Sequence, residues 1–123
     1  MSKLTKGQRT REKILKSALR LFAREGFAST SIQKIADQCG ISQTAVLQHY
    51  SSKKNLLEAI RLHVNDSNWE FVDKNIHLED DALTSLTKHC SGNLEWALKN
   101  KDQAQIIILF YYYGCFDQFS CFL

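Results

Sequence analysis

Three observations predict an all-α fold. Apolar residues recur at helical spacing along most of the chain, and Ser, Thr or Asp stands ahead of several of those runs. The longest run, residues 53 to 73, is not interrupted by proline. Residues 26 to 57, GFASTSIQKIADQCGISQTAVLQHYSSKKNLL, read as two short helices around a tight glycine-containing turn and then a third capped start. That is the sequence form of a helix-turn-helix, a motif that places its second helix in a DNA groove. The expected organisation is a polar arm over 1–8, a three-helix unit over 9–52, a long fourth helix over 53–74 and a partial second helical region over 75–123.

The arm carries Lys3, Lys6, Arg9 and Arg11 with Gly7, before apolar periodicity begins, and is expected to be mobile until it meets a polyanion. The first helix, expected over Thr10 to Glu25, places Ile14, Leu15, Ala18, Leu21 and Phe22 on one face and stops at Gly26. Phe27 is expected in the same core. Thr30 is the expected cap of the next helix, with Gln33 completing a capping box and Ile32, Ile35 and Ala36 facing inward. Gly40 supplies a left-handed turn, Ile41 plugs the gap between the helices, and Ser42 caps the third helix. There Ala45, Val46 and Tyr50 point inward, leaving Gln43, Thr44, Leu47, Gln48 and His49 toward a groove. Amides and hydroxyls on such a face are the groups that read base edges.

Ser52 and Lys53 open the fourth helix, whose inner side is Leu56, Leu57, Ile60, Val64 and Phe71, with Trp69 turned toward a neighbouring helix. Lys53 and Lys54 are unfavourable at a helix N-terminus unless a phosphate or plain solvation accounts for them. Asn75 to Glu79 is the connector and Asp80 or Asp81 the next start. Leu83, Leu86, Cys90, Leu94, Ala97 and Leu98 form the expected inner face through Lys99, with Gly92 weakening the helix in its middle. Asp102 with Gln105 is the expected capping box of a last segment, Gln103 to about Phe119. That segment includes Ile106 to Phe116, apolar nearly all round. A β-strand is the alternative for Ile106 to Tyr113. At about 11 residues the run falls short of the roughly 20 a membrane span needs, so burial in protein is the favoured reading and no membrane partner is expected.

Charge is divided along the chain. Residues 1–63 hold 12 Lys and Arg against 4 Asp and Glu, a balance of +8, and residues 64–123 hold 4 against 9, a balance of −5. The basic half is the helix-turn-helix half, as a polyanionic partner requires.

The chain resembles the tetracycline-repressor (TetR/AcrR) family of bacterial transcription regulators. The resemblance rests on TREKILKSALRLFAREGF (10–27), the Ser29–Thr30–Ser31 start, IADQCGIS (35–42) and HYSSKKNLLEAI (49–60), in the family's order and spacing over about residues 9 to 64. It implies that Thr30 and Ser31 approach the DNA backbone and that Gln43, Thr44 and Gln48 lie in the major groove. His49, Tyr50 and Lys53 would touch or buttress phosphate contacts. Leu47 departs from the family's usual tyrosine and Thr44 from a frequent glycine. The family also implies that the fourth helix joins the reader to an all-helical ligand and dimerisation domain. Here the chain stops at Leu123, just after its most hydrophobic segment.

The implied function is a dimeric repressor of a near-palindromic operator on double-stranded DNA, released by a small-molecule effector. The alternative is a shortened interaction protein that pairs with a full-length relative. Trp96, Phe110, Tyr111, Tyr112, Tyr113 and Phe116 are candidate effector-lining residues, although such residues are more often plain core. Enzyme chemistry is not expected. Cys39, Cys90, Cys115 and Cys121 form no C-x-x-C, and His49, His63, His77 and His89 make no zinc spacing with them, so neither metal nor cofactor is implied. Free cysteines without a signal peptide point to the cytoplasm.

Overall fold

The computed structural model describes residues 3–115, with side chains through Tyr112. Six helices follow in order: α1 Lys6–Glu25, α2 Ile32–Cys39, α3 Gln43–His49, α4 Lys53–Asp73, α5 Ala82–Lys99 and α6 Lys101–Cys115. The described fold is all-α, and Ile106 to Tyr113 is helix rather than strand.

α1 begins four residues earlier than its apolar periodicity suggests. Thr5 caps it: its hydroxyl accepts from Gln8 N–H at 3.2 Å, and the Thr5 N–H donates to Gln8 Oε1 at 2.8 Å. This reciprocal box satisfies two of the four free donors of the helix start, so Lys6, Arg9 and Arg11 belong to helix and not to a loose arm. The α2 start also differs. Ser31, not Thr30, is the cap, accepting from Lys34 N–H at 3.1 Å, and Gln33 bonds Asp37 on the next turn at 2.7 Å instead of closing a box.

α1, α2, α3 and the first half of α4 share one core. Ile14, Ala18, Phe22, Ile35, Ala36, Val46, Leu56 and Ile60 are fully buried, and Phe27, Leu57 and Val64 nearly so. α6 lies against both α1 and α4, adding Ile106 to the same core, and α5 packs along α4. Each large side chain buried there contributes on the order of 1.5–3 kcal/mol.

α5 presents the opposite face from the one its leucines suggest. Leu83, Leu86, Leu94 and Leu98 are 73%, 58%, 63% and 65% exposed, whereas Gly92 and Trp96 are buried. What α4 offers explains the choice. Trp96 Nε1 donates to Ser67 Oγ at 3.2 Å, and Asn68 Nδ2 donates to Asn93 Oδ1 at 3.0 Å. Gly92 lies against Val72, so that a β-carbon added there would already touch it at 3.6 Å. Trp69 faces outward at 63% exposure and not toward a neighbouring helix.

The α5–α6 junction is made by Asn100 and not by an Asp102–Gln105 box. The Asn100 side chain donates to Trp96 O at 2.9 Å, and the Asn100 backbone carbonyl accepts from Ala104 N–H at 2.9 Å. The helix then continues to Cys115, and the expected end near Phe119 lies outside the described residues.

A β-carbon added at Gly92 would sit 3.6 Å from Val72, an ordinary contact. Gly92→Ala should therefore raise stability by about 0.5–1 kcal/mol through helix propensity. Gly92→Leu should lower it by overpacking α4 against α5, by about 1–3 kcal/mol. Thermal unfolding followed by circular dichroism measures both; equal losses would show that α5 cannot approach α4 as described.

Candidate nucleic-acid interface

The turn between α2 and α3 is built by Gly40, at φ +69° and ψ +33°, a left-handed conformation natural to glycine. Its N–H and that of Ile41 close onto carbonyls of the last turn of α2, Ile41 N–H to Ala36 O at 3.1 Å. Ser42 then caps α3, accepting from Ala45 N–H at 3.1 Å. Val46 and Tyr50 are buried beneath α3 and Ala45 is half-buried. This seats one side of a two-turn helix and leaves Gln43, Thr44 and Gln48 exposed, with Leu47 at 38% among them. Among the described residues none hydrogen-bonds the side chains of Gln43, Thr44 or Gln48. Two amides and a hydroxyl thus stand together on the outward face, open to acceptors and donors of a partner.

The remaining predicted contact residues divide. Ser31 is exposed, its oxygen engaged in capping α2. Thr30 is fully buried and its hydroxyl donates to Gly26 O at 2.9 Å, so its side chain closes the α1–α2 loop from within and does not reach the surface. Lys53 also turns inward. Its ammonium donates to the Phe27 carbonyl and lies 5.9 Å from the Phe22 ring centre, and burial pushes its pKa below the ordinary lysine value. Lys54 is the exposed cation at this helix start. His49 is half-buried at the end of α3, and Tyr50 is buried just beyond it.

Two residues of α1 enter this site without any signal in the periodicity. The Arg11 guanidinium donates to His49 O at 2.6 Å and lies 4.3 Å over the Tyr50 ring, whose hydroxyl donates back to Arg11 O at 3.4 Å. Lys13 donates to Cys39 O at 2.9 Å, at the end of α2. Cations at helix C-termini are favourable, by about 0.3–1 kcal/mol each when exposed. Only a contact 38 residues away in sequence reveals the Arg11 tie, so no local pattern could have found it.

The aromatic residues expected to line an effector site do not converge. Trp96 is a core residue bonded to Ser67, Phe110 is half-buried against Phe27, and Tyr111 and Tyr112 are exposed. The Tyr113 side chain, Phe116 and Cys121 lie outside the described residues. A cleft of about 510 Å³ between α1, α4 and the α5–α6 junction is lined instead by Lys16, Arg20, His63, Lys99 and Gln103 among others. Among the described residues no group of three or more His, Cys, Asp or Glu is placed to hold a metal ion. No described helix is long and apolar enough to cross a membrane.

Residues 14–60 match the model of bacterial regulatory proteins of the tetR family, a segment that runs from the core of α1 through α2 and α3 to the first half of α4. The reader of this chain belongs to the tetR family. Over 47 residues the chain is 53% identical to the HTH-type transcriptional regulator YerO of Bacillus subtilis, an alignment covering 38% of this chain and 16% of that one. It is 37% identical over 78 residues to the HTH-type transcriptional regulator AcrR of Shigella flexneri, covering 62% of this chain and 33% of AcrR. The fold extends beyond the matched segment. A tetR family transcription regulator from Shewanella sp. PV-4 superposes with a TM-score of 0.77 at 27% identity, covering 82% of this chain and 54% of the other. The chain therefore spans a third or less of these two curated relatives and about half of the solved tetR regulator.

Burial raises the Tyr50 phenol above its ordinary value of 10.0, and the nearby Arg11 charge offsets this only in part. The fold favours the neutral phenol, so Tyr50's contribution to stability should be complete below pH 10 and fade as pH rises through the higher folded-state value. The difference in unfolding free energy between wild type and Tyr50→Phe, followed from pH 8 upward, should shrink in that window. A difference that grows with pH would reverse the assignment.

Proposed function

We propose that this chain is a sequence-specific DNA-binding transcriptional regulator that acts as a dimeric repressor on a near-palindromic operator in the cytoplasm. One observation carries the reading: a tetR-type reader sets Gln43, Thr44 and Gln48 side by side on the outward face of α3, without internal partners. The +8 balance of residues 1–63 supplies the phosphate attraction that such a face needs. Gln43 and Gln48 are suited to adenine edges, where an amide donates and accepts together, and Thr44 to either kind of edge. Ser31 and Lys54 lie at exposed helix starts suited to phosphates. Lys53, His49 and Tyr50 act behind them as supports, because Lys53 holds the Phe27 carbonyl and the other two are the points at which Arg11 ties down the end of α3.

Release by a small-molecule effector belongs to this reading through α6. Its Phe110 ring sits 5.3 Å from that of Phe27, which abuts Phe22 at 5.5 Å, so a displacement of α6 bears directly on the core of the reader. A second reading, pairing with a full-length relative, is favoured by the exposed row of Leu83, Leu86, Leu94 and Leu98 on α5.

Selection of binding sites from a random duplex pool at near-physiological salt tests the proposal. An inverted repeat, with half-sites about 34–36 Å apart or a multiple of it, is the expected product. Recovery of no motif by the chain alone, with a motif appearing once a full-length relative is added, favours the second reading.

Replacing Gln43 or Gln48 by Ala should cost about 1–3 kcal/mol at particular base pairs. Lys54→Ala should weaken every sequence alike and reduce the salt slope by about one. Lys53→Ala should show its main effect on folding stability, because its ammonium is spent on the Phe27 carbonyl. Titrations against single-base operator variants at two salt concentrations separate these outcomes, and equal effects of Gln43, Gln48 and Lys54 on all sequences would undo the roles.

A further inference from the structure

We infer that Arg11, on α1, is a positioning residue for sequence discrimination: it sets the angle at which α3 presents its amides and takes no part in reading bases or phosphates. The inference rests on the DNA-reading proposal above and adds to it a residue outside the reading face.

The observations are geometric. α3 has only seven residues, too short to hold its own conformation, and at its end the helical pattern closes with a single cap bond, Tyr50 N–H to Val46 O at 3.0 Å. Its fixed points are few: Ser42 at the start, Val46 beneath, and the His49–Tyr50 end. Arg11 takes hold of that end in three ways at once. Its guanidinium donates to His49 O at 2.6 Å, its guanidinium carbon lies over the Tyr50 ring at 4.3 Å from the centre, and its own backbone carbonyl accepts the Tyr50 hydroxyl at 3.4 Å. α1 is itself anchored through Ile14, Ala18 and Phe22, so the tie transfers the rigidity of a 20-residue helix to the end of a seven-residue one.

The α2 end needs the equivalent tie less. Lys13 donates to Cys39 O, but the Gly40 turn already closes that helix with two backbone bonds of its own. The α3 end has no such turn, because Tyr50 is extended at φ −135° and ψ +107°. A guanidinium suits the task since it can donate in its plane while stacking with its face, whereas an ammonium cannot do both from one position. Release of the α3 end would let the helix roll, moving Gln48 and Thr44 off the base edges while leaving the phosphate-facing charges in place. Loss of Arg11 should therefore lower discrimination more than attraction.

The experiment compares wild type, Arg11→Gln, Arg11→Lys and Lys16→Gln; the last removes the same charge from an exposed α1 position that holds no part of α3. Affinity is measured for the selected operator and for a scrambled duplex over a range of salt concentrations. In Arg11→Gln the ratio of specific to non-specific affinity should fall about tenfold, the scale of one misplaced base contact. The salt slope should change no more than in Lys16→Gln. Arg11→Lys should also lose several-fold in the ratio although its charge is kept.

A readout without DNA accompanies it. Backbone amide exchange at Leu47 to Tyr50 should accelerate in both Arg11 variants and not in Lys16→Gln, with melting curves confirming that each variant is folded. A slope reduced by about one with an unchanged ratio would make Arg11 a phosphate contact and overturn the inference. So would wild-type discrimination in Arg11→Lys, or unchanged exchange in α3. If wild type binds no sequence preferentially, the regulator reading fails, while the exchange data still decide whether Arg11 holds α3.

Discussion

The structure depends most on the burial of Phe27. The residue follows Gly26, whose φ of +84° turns the chain sharply out of α1, and its ring enters a space bounded by Phe22 of α1 and Phe110 of α6. Its carbonyl accepts from the Lys53 ammonium at the start of α4. Thr30 closes the same loop from inside through Gly26 O. Three helices, α1, α4 and α6, thus meet on one residue, so the reader and the second helical region share a single core. An aromatic ring so placed is worth about 3–5 kcal/mol against alanine, a large part of the stability of a small domain.

A shared core also resolves the problem posed by short helices. α2 and α3 have eight and seven residues, below the length at which a helix persists in water. They are held at their starts by Ser31 and Ser42, at their ends by Lys13 and Arg11, and from below by Ile35, Ala36 and Val46. The same α1 that fills the core with its apolar face therefore orders the recognition unit with two residues of its polar face. Basic residues counted along the chain are not interchangeable in consequence: Lys53, Arg11 and Lys13 each donate to a backbone carbonyl of the protein, while Lys54 stands exposed at the surface.

α5 shows how a partner helix overrules an amphipathic pattern. Hydrophobicity alone favours burying its leucines, but α4 presents Ser67, Asn68 and Val72, which ask for a donor, an amide and a small residue. Trp96, Asn93 and Gly92 meet those demands on one face, and the leucine row is left outward. An apolar row of that extent on a surface is what association with other protein would cover.

The sequence by itself determined the all-α class, the bounds of α4, the caps at Ser42 and Ser52, the left-handed turn at Gly40 and the inward set Ile14, Phe22, Ile35, Val46 and Leu56. These follow from interactions over three or four residues, which a linear pattern records directly. Tertiary structure decided the rest. The extra turn of α1 lay in polar residues that periodicity does not count, and the choice of Ser31 over Thr30 turned on which hydroxyl was needed inside the loop. The inward turn of Lys53, the grip of Arg11 on α3 and the rotation of α5 each depend on a partner 25 or more residues away. No local spacing encodes such a partner, because what a side chain touches across a core is set by the packing of whole helices.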